Sequence, residues 1–91
     1  MSQNNLVVVT QLFEKASQDP DLLKSLLEDI LTPAEIDDLA QRWRIIKALH
    51  KNIPQRTIAS ELGVSLSKVT RGSRVLLNPK GGFNTLLRRF F

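Results

Sequence analysis

The sequence predicts an all-α protein of about six helices that contains a helix-turn-helix. Three observations predict this fold class. Apolar residues recur at intervals of three and four, no segment alternates with the period of two that strands require, and breaks at Pro and Gly divide the 91 residues into short segments. A chain of this length forms one domain, near the size at which a second subunit adds core, so a dimer is expected.

The first two helices are predicted from periodicity and from one cap. Residues from Leu6 to Ser17 have helical spacing, although three consecutive valines would also suit a strand. Asp19 followed by Pro20 is typical of an N-cap and a first helical residue. We therefore expect a second, short helix with a wide apolar stripe from Pro20 onward.

The third helix has the most explicit start signal in the chain. In Thr32-Pro33-Ala34-Glu35, Thr is the expected N-cap, Pro the first helical residue, and Glu the residue that closes a capping box. We expect this long helix to end before Pro54. Trp43 is interpreted as a core or dimer-interface residue. The apolar stripe comprises Ile36, Leu39, Ala40, Trp43, Ile46 and Leu49.

Residues 55–77 match the spacing of a helix-turn-helix. Gly63 lies at the turn, where a left-handed backbone favours Gly, and Ser65 can cap the second helix. An ordinary helical hairpin is the alternative. The positions expected to close the helix pair are Ile58, Ala59, Leu62, Val64 and Val69.

Residues 80–91 are expected to form a short C-terminal helix. It follows breaks at Asn78-Pro79 and Gly81-Gly82. Its last two residues, Phe90 and Phe91, either pack on a partner subunit or form an exposed apolar patch, and the pattern favours neither.

Charge differs sharply between the two halves of the chain. Residues 1–41 carry eight acidic and two basic residues, a net charge of −6, whereas residues 42–91 carry eleven basic and one acidic, a net charge of +10. Together with the helix-turn-helix, this favours nucleic acid as a partner over a merely solvated basic face. The second helix of the motif enters the major groove, with Leu66, Ser67, Lys68 and Thr70 expected to be exposed. The predicted DNA-binding residues are Gln55, Arg56, Leu66, Ser67, Lys68, Thr70 and Arg74.

Several function classes are not expected. With no Cys, one His and no Gly-rich phosphate loop, the chain offers little for an enzyme, a metal or a cofactor. The acidic pairs Glu28-Asp29 and Asp37-Asp38 are interpreted as solvated helix charges rather than metal ligands. No apolar run is long enough for a membrane span and no secretory signal is evident, so we expect a cytoplasmic protein.

Five motifs resemble the bacterial Trp operon repressor family, in order and nearly at family spacing. They are Leu31-Thr32-Pro33-x-Glu35, Arg42-x-Arg44-Ile45, Gln55-Arg56, Glu61-Leu62-Gly63 and Thr70-Arg71-Gly72-Ser73. The resemblance implies an intertwined homodimer whose core is formed by residues 1–53. It also implies binding to palindromic operator DNA, with L-tryptophan as the corepressor that holds the recognition helices at operator spacing.

The resemblance also implies the ligand-binding residues. Arg42 and Arg71 correspond to the pair that sandwiches the indole, and Gly72 to the glycine that lets the ring approach the helix. Arg71 and the Thr hydroxyl that caps the long helix face the ligand carboxylate, and backbone carbonyls just before that helix accept from the ligand ammonium. These further contacts correspond to Thr32, Asp29 and Leu31.

Three positions depart from the family pattern. Val75 stands where the family offers a Ser hydroxyl to the ligand ammonium, which removes one hydrogen bond worth roughly 1 kcal/mol. Arg74 replaces the usual Asn, and relative to the family one residue is deleted between the long helix and Gln55, near Asn52 to Pro54. The sequence therefore leaves two alternatives open, a repressor gated by another indole or a modified tryptophan, and a ligand-independent DNA-binding protein of the nucleoid type.

Overall fold

The computed structural model describes residues 2–91 and confirms the predicted all-α fold class. Within that range it contains six helices and no strand. The helices are α1 (Ser2–Ala16), α2 (Pro20–Ile30), α3 (Pro33–His50), α4 (Gln55–Leu62), α5 (Leu66–Val75) and α6 (Gly82–Phe90).

The chain divides into two compact units. The first ends at Ile36 and contains α1 and α2, which pack on each other and bury Ala16. The second unit, Asp37–Phe91, contains most of α3 together with α4, α5 and α6. All of the predicted DNA-binding residues belong to the second unit.

The predicted capping box at the start of α3 is confirmed. The Thr32 N–H donates to Glu35 Oε1 at 2.9 Å, and the Glu35 N–H donates to Thr32 Oγ1 at 3.2 Å. Two otherwise unpaired N–H groups are satisfied in this way. The first of these bonds also lowers the pKa of the Glu35 carboxyl below its ordinary value of 4.5, because the backbone N–H stabilises the carboxylate.

Two other helix starts use the predicted caps. Asp19 Oδ1 accepts from the Asp21 N–H at 3.0 Å and precedes Pro20, the first residue of α2. Ser65 Oγ accepts from the Lys68 N–H at 3.2 Å at the start of α5. Side-chain caps therefore define the beginning of α5, which the sequence predicts to carry the DNA-recognition residues.

Two left-handed residues make the connections on either side of α4. Asn52, with φ 61°, reverses the chain after α3, so that the Ile53 N–H donates to the Ala48 carbonyl at 3.1 Å. Asn tolerates this conformation better than most residues. Gly63, with φ 65°, ends α4, as predicted. Both connections are short, and they hold α3, α4 and α5 against one another.

The core of the second unit joins three helices. Ile45 of α3, Ile58 of α4 and Val69 of α5 are 3%, 1% and 0% exposed. The predicted burial of Ile58 and Val69 is confirmed, whereas Leu62 is only half-buried. The half-buried residues around this core are Ala48, Leu49, Ile53, Ala59, Leu62 and Val64.

The predicted apolar stripe of α3 is only partly buried within one chain. Ile46 is buried, but Ile36 and Leu39 are exposed, and Ile45, which lies off the stripe, is in the core. The reason is that α4 and α5 pack on the Ile45 side of α3. A single-stripe count does not account for a helix with more than one contact surface.

Trp43 packs against the C-terminal aromatic residues of its own chain. Its ring stacks on Phe83 at a centroid distance of 6.1 Å and meets Phe91 edge-on at 5.4 Å, while the Lys47 ammonium lies 5.5 Å from its centroid. Phe90 is exposed. Trp43 is therefore a half-buried packing residue within one subunit.

Replacing Gly63 by Ala is expected to lower the free energy of unfolding by about 1 kcal/mol, because φ 65° is unfavourable for a residue with a Cβ atom. Urea denaturation followed by circular dichroism measures the change. Gly82→Ala is the control, since a Cβ there meets no atom within 4 Å and the backbone is not left-handed. Equal losses for the two variants would contradict this explanation.

The capping box predicts a contribution to stability that depends on pH. Because the folded pKa of Glu35 is lowered, its contribution is complete above the ordinary pKa of 4.5 and is lost as the pH falls through the folded pKa. Glu35→Gln keeps an acceptor oxygen but does not titrate. Unfolding measured between about pH 3 and pH 6 should therefore show a smaller loss of stability with acid in the variant. Identical pH profiles would refute the assignment.

Candidate functional site

A cavity of about 170 Å³ lies between α3 and α5 in the second unit. An engineered apolar cavity of about 150 Å³ holds a benzene ring, so this cavity has room for one aromatic ring. Its walls are formed by Asp38, Gln41, Arg42, Ile45 and Ile46 of α3, by Lys68, Arg71, Gly72 and Val75 of α5, and by Phe83 of α6.

The structure brings Arg42 and Arg71 to this one cavity from opposite sides. Arg42 comes from α3 and Arg71 from α5, and both are exposed. Guanidinium groups stack on aromatic faces and pair with carboxylates. The buried Ile45 and Ile46 side chains provide an apolar wall. The arrangement is suited to a flat apolar ring with an anionic substituent.

Asp38 links the two helices that border the cavity. Its carboxylate lies 3.0 Å from the Arg42 guanidinium and 3.9 Å from the Lys68 ammonium, with 40% of its side chain exposed. Asp38 is therefore paired with cations of both helices as well as partly solvated, because the packing of α5 brings Lys68 next to it.

Gly72 allows α5 to approach α3 closely. A Cβ atom at Gly72 would lie 2.9 Å from Ile45 Cγ2 and 3.3 Å from Leu49 Cδ1. The close contact with Ile45 and Leu49 therefore explains why a residue without a side chain stands at position 72. Gly72 also lines the cavity. The role of Gly72 in admitting a ligand ring stays a prediction.

Val75 borders the same cavity and is exposed. It lies one turn after Arg71 on α5. Its isopropyl group neither donates nor accepts a hydrogen bond, as the sequence predicts for this position. This part of the cavity wall is apolar.

The predicted DNA-binding residues form two groups. Arg56, Leu66, Ser67, Lys68 and Arg74 are exposed, whereas Gln55 and Thr70 are half-buried. The Thr70 hydroxyl lies 3.1 Å from Gln55 Oε1 and 3.0 Å from the Leu66 carbonyl. The expected exposure of Thr70 is therefore wrong, because this residue packs against the start of α4 and joins the two helices of the motif.

Three predicted ligand contacts lie in the first unit. Asp29 is an exposed residue in the last turn of α2, Leu31 is the half-buried C-cap of that helix, and Thr32 begins α3. Their contacts with a ligand stay predictions.

Sequence reasoning missed six cavity residues, Asp38, Gln41, Ile45, Ile46, Lys68 and Phe83. A signal was available for three of them, Asp38, Gln41 and Ile45. Asp38, Gln41, Arg42 and Ile45 are spaced by three, four and seven residues, which places them on one face of a helix. No comparable signal existed for Phe83, since α6 is connected to α5 by an irregular segment.

Two other features of residues 2–91 concern metal-ligating side chains and membrane-spanning helices. No group of three or more metal-ligating side chains lies together there. Among the described helices, none is both long and apolar enough to cross a membrane.

Comparison with known proteins identifies relatives over most of the chain. The sequence profile of the Trp repressor protein family matches residues 4–90. A Trp operon repressor homolog of Xylella fastidiosa (strain 9a5c) is 50% identical over 54 residues, which are 58% of this chain and 59% of the relative. The chain thus matches less than two thirds of that relative. A homolog of the same description from Chlamydia trachomatis serovar L2 is 36% identical over 73 residues, 79% of this chain and 78% of the relative.

Gly72→Ala is expected to destabilise the protein by about 1 kcal/mol, because overpacking costs roughly 1–3 kcal/mol and better helix propensity returns at most about 1 kcal/mol. Combining it with Ile45→Leu, which moves the branching methyl away from Cβ, should recover part of the loss. Chemical denaturation of both single variants and the double variant measures this coupling. Strict additivity would show that the contact between Gly72 and Ile45 does not limit the packing.

Proposed function

The chain belongs to the Trp repressor family, and we propose that it is a cytoplasmic DNA-binding repressor of tryptophan-related genes, activated for operator binding by L-tryptophan. The observation that carries the proposal is that Arg42 and Arg71 border one cavity whose wall includes the predicted recognition helix. The partners proposed are palindromic operator DNA, the corepressor and a second copy of the chain.

Ligand binding follows from the chemistry of the cavity. The two guanidinium groups stack on an indole, and Arg71 pairs with the ligand carboxylate. Ile45 and Ile46 contact the apolar edge of the ring. A carboxylate at this position gains a charge-assisted hydrogen bond, which is about twice as strong as a neutral one.

Gating follows from the two uses of α5. Arg71, Gly72 and Val75 line the cavity, while Leu66 and Ser67, at the start of the same helix, are exposed for contact with DNA. A ligand between α3 and α5 favours the helix arrangement that it fits best. The ligand can raise DNA affinity by no more than the ratio of its own affinities for the DNA-competent arrangement and for the other arrangement. DNA raises ligand affinity by the same factor.

DNA binding is supported by charge and exposure in the second unit. Arg56, Lys68 and Arg74 are exposed in or beside the two helices of the motif. Cations in these positions pair with phosphates and orient the protein, whereas base edges are read by side chains in the groove. Gln55, through its bond to Thr70, positions α4 against the recognition helix.

Dimerisation is supported by exposed apolar side chains in α1 and α3. Leu6, Val8 and Leu39 are 70%, 62% and 48% exposed. Exposed apolar side chains in each of the two units support a protein interface. In the proposed dimer a second copy covers these residues and places two recognition helices about 34 Å apart, the spacing of successive major grooves on one side of DNA.

Val75 favours a second candidate corepressor. Without a hydroxyl at this position, the ammonium group of an amino acid ligand makes one hydrogen bond fewer. The difference in affinity between L-tryptophan and an indole acid or a modified tryptophan is therefore smaller. This alternative keeps the fold, the DNA partner and the gating and changes only the effector.

A band-shift titration on a palindromic operator tests the proposal at fixed salt. We expect L-tryptophan to raise DNA affinity by a factor within roughly 5–150, the usual range of allosteric coupling. Arg71→Ala should abolish this response. Arg89→Ala, which also removes one exposed positive charge but lies outside the cavity, should retain it.

Three other outcomes are informative. A response to another indole, but not to L-tryptophan, would replace the corepressor and keep the mechanism. DNA affinity that is insensitive to every indole and to sequence, yet falls steeply with salt, would replace gating with ligand-independent DNA binding. Absence of DNA binding under all conditions would refute the proposal.

A further inference from the structure

Ion pairing in the second unit is concentrated on one carboxylate. Residues 37–91 contain eleven basic residues and three acidic ones, yet both ion pairs found among the described residues involve Asp38. Its Oδ2 lies 3.0 Å from Arg42 Nη2, one turn further along α3, and its Oδ1 lies 3.9 Å from Lys68 Nζ on α5. A residue of the predicted recognition helix therefore has a negative charge of α3 beside it.

Lys68 differs in this respect from the other exposed cations of the helix-turn-helix. Arg56 and Arg74 make no ion pair within the described part of the chain. The Lys68 side chain is 57% exposed, so its ammonium can reach a group on DNA. Any group that pairs with this ammonium also comes close to the Asp38 carboxylate.

The nearby carboxylate changes which DNA group suits Lys68. A phosphate carries a full negative charge, and Asp38 repels it when it approaches the ammonium. Guanine O6 and N7 are neutral acceptors, which Lys side chains bind in the major groove, and a carboxylate repels a neutral group much less. The Asp38 side chain is 40% exposed and is fixed by Arg42, so salt screens this repulsion only in part.

The position of Lys68 on α5 agrees with the electrostatic argument. The helix begins at Leu66, and the Ser65 cap accepts from the Lys68 N–H, so Lys68 lies in the first turn. The first residues of a recognition helix are those that contact base edges. Both observations favour a base contact over a phosphate contact.

We infer that Asp38 is a specificity-determining residue of the DNA interface, which directs Lys68 away from phosphates and toward a guanine O6 or N7. The inference rests on the proposed function, because it assumes that α5 enters the major groove of operator DNA. It replaces the phosphate role of Lys68, whereas Arg56 and Arg74 keep theirs. Asp38 acts through Lys68 and needs no DNA contact of its own, so it is a positioning residue.

The test measures the affinity of the full chain for two duplexes at several salt concentrations, with L-tryptophan saturating. One duplex is the palindromic operator, and the other has the same length and composition in scrambled order. Asp38→Asn keeps the shape of the side chain and removes its charge. We expect about twofold to fivefold tighter binding to the scrambled duplex, the range for an exposed ion pair, and a smaller change for the operator. Binding to the scrambled duplex should also depend more steeply on salt, by about one phosphate contact.

Asp37→Asn is the matched control. It removes the same charge from the adjacent residue, which is exposed and makes no ion pair with any described residue. A general effect of charge changes both affinities by the same factor, so the ratio between the duplexes should stay constant in this variant. In a Lys68→Met background, Asp38→Asn should no longer change the ratio, because the two residues act through one contact.

Lys68→Met alone provides a second test that does not depend on the Asp38 variant. Each G·C pair of the operator half-site is replaced in turn by A·T. At one of these pairs the parent should lose about fivefold to a hundredfold in affinity, and Lys68→Met should lose this discrimination. The salt dependence of operator binding should be the same in Lys68→Met as in the parent. Thermal melting followed by circular dichroism verifies that each variant is folded.

Three results would overturn the inference while leaving DNA binding intact. They are an equal change for both duplexes in Asp38→Asn, the same shift of the ratio in Asp37→Asn, and a shallower salt dependence in Lys68→Met. The last result would identify Lys68 as a phosphate contact. Absence of DNA binding by the parent would overturn this inference together with the proposed function.

Discussion

The close approach of α5 to α3 at Gly72 is the constraint on which the second unit depends. An ideal Cβ at this position would lie only 2.9 Å from Ile45 Cγ2, so any larger residue would force the Ile45 side chain or the helices to shift. Ile45, the residue that contacts Gly72, also belongs to the core together with Ile58 and Val69. The close approach also affects the width of the cavity, because Arg71, Gly72 and Val75 form one of its walls.

One helix therefore serves packing, ligand binding and DNA recognition. Val69 is buried in the core, Arg71 borders the cavity, and Leu66 and Ser67 are exposed near the capped start of α5. Lys68 belongs to two of these surfaces, since it lies on the cavity wall and near the Asp38 carboxylate. Because α5 is only 10 residues long, a displacement at its cavity side moves the recognition residues with it. This short distance is the physical basis of the proposed coupling.

Much of the local structure could be predicted from the sequence, since it depends on neighbouring residues. The Thr32–Glu35 capping box, the Asp19 and Ser65 caps and the left-handed Gly63 were all predicted and are all observed. The two helices of the helix-turn-helix and the burial of Ile58 and Val69 follow from spacing alone. The motifs containing Arg42 and Arg71 indicated which family to expect, and the structure places both residues at one cavity.

By itself, then, the sequence determined the helices, their ends and the family, because caps, turns and motifs depend on residues a few positions apart. Only the tertiary structure decided which side of α3 is buried, why Gly72 lacks a side chain, and that Asp38 and Gln41 belong to the cavity. Thr70 likewise is half-buried because α4 lies against it. These outcomes depend on how α5 and α6 pack on α3, and the distance of closest approach between two helices is not encoded in the periodicity of either one.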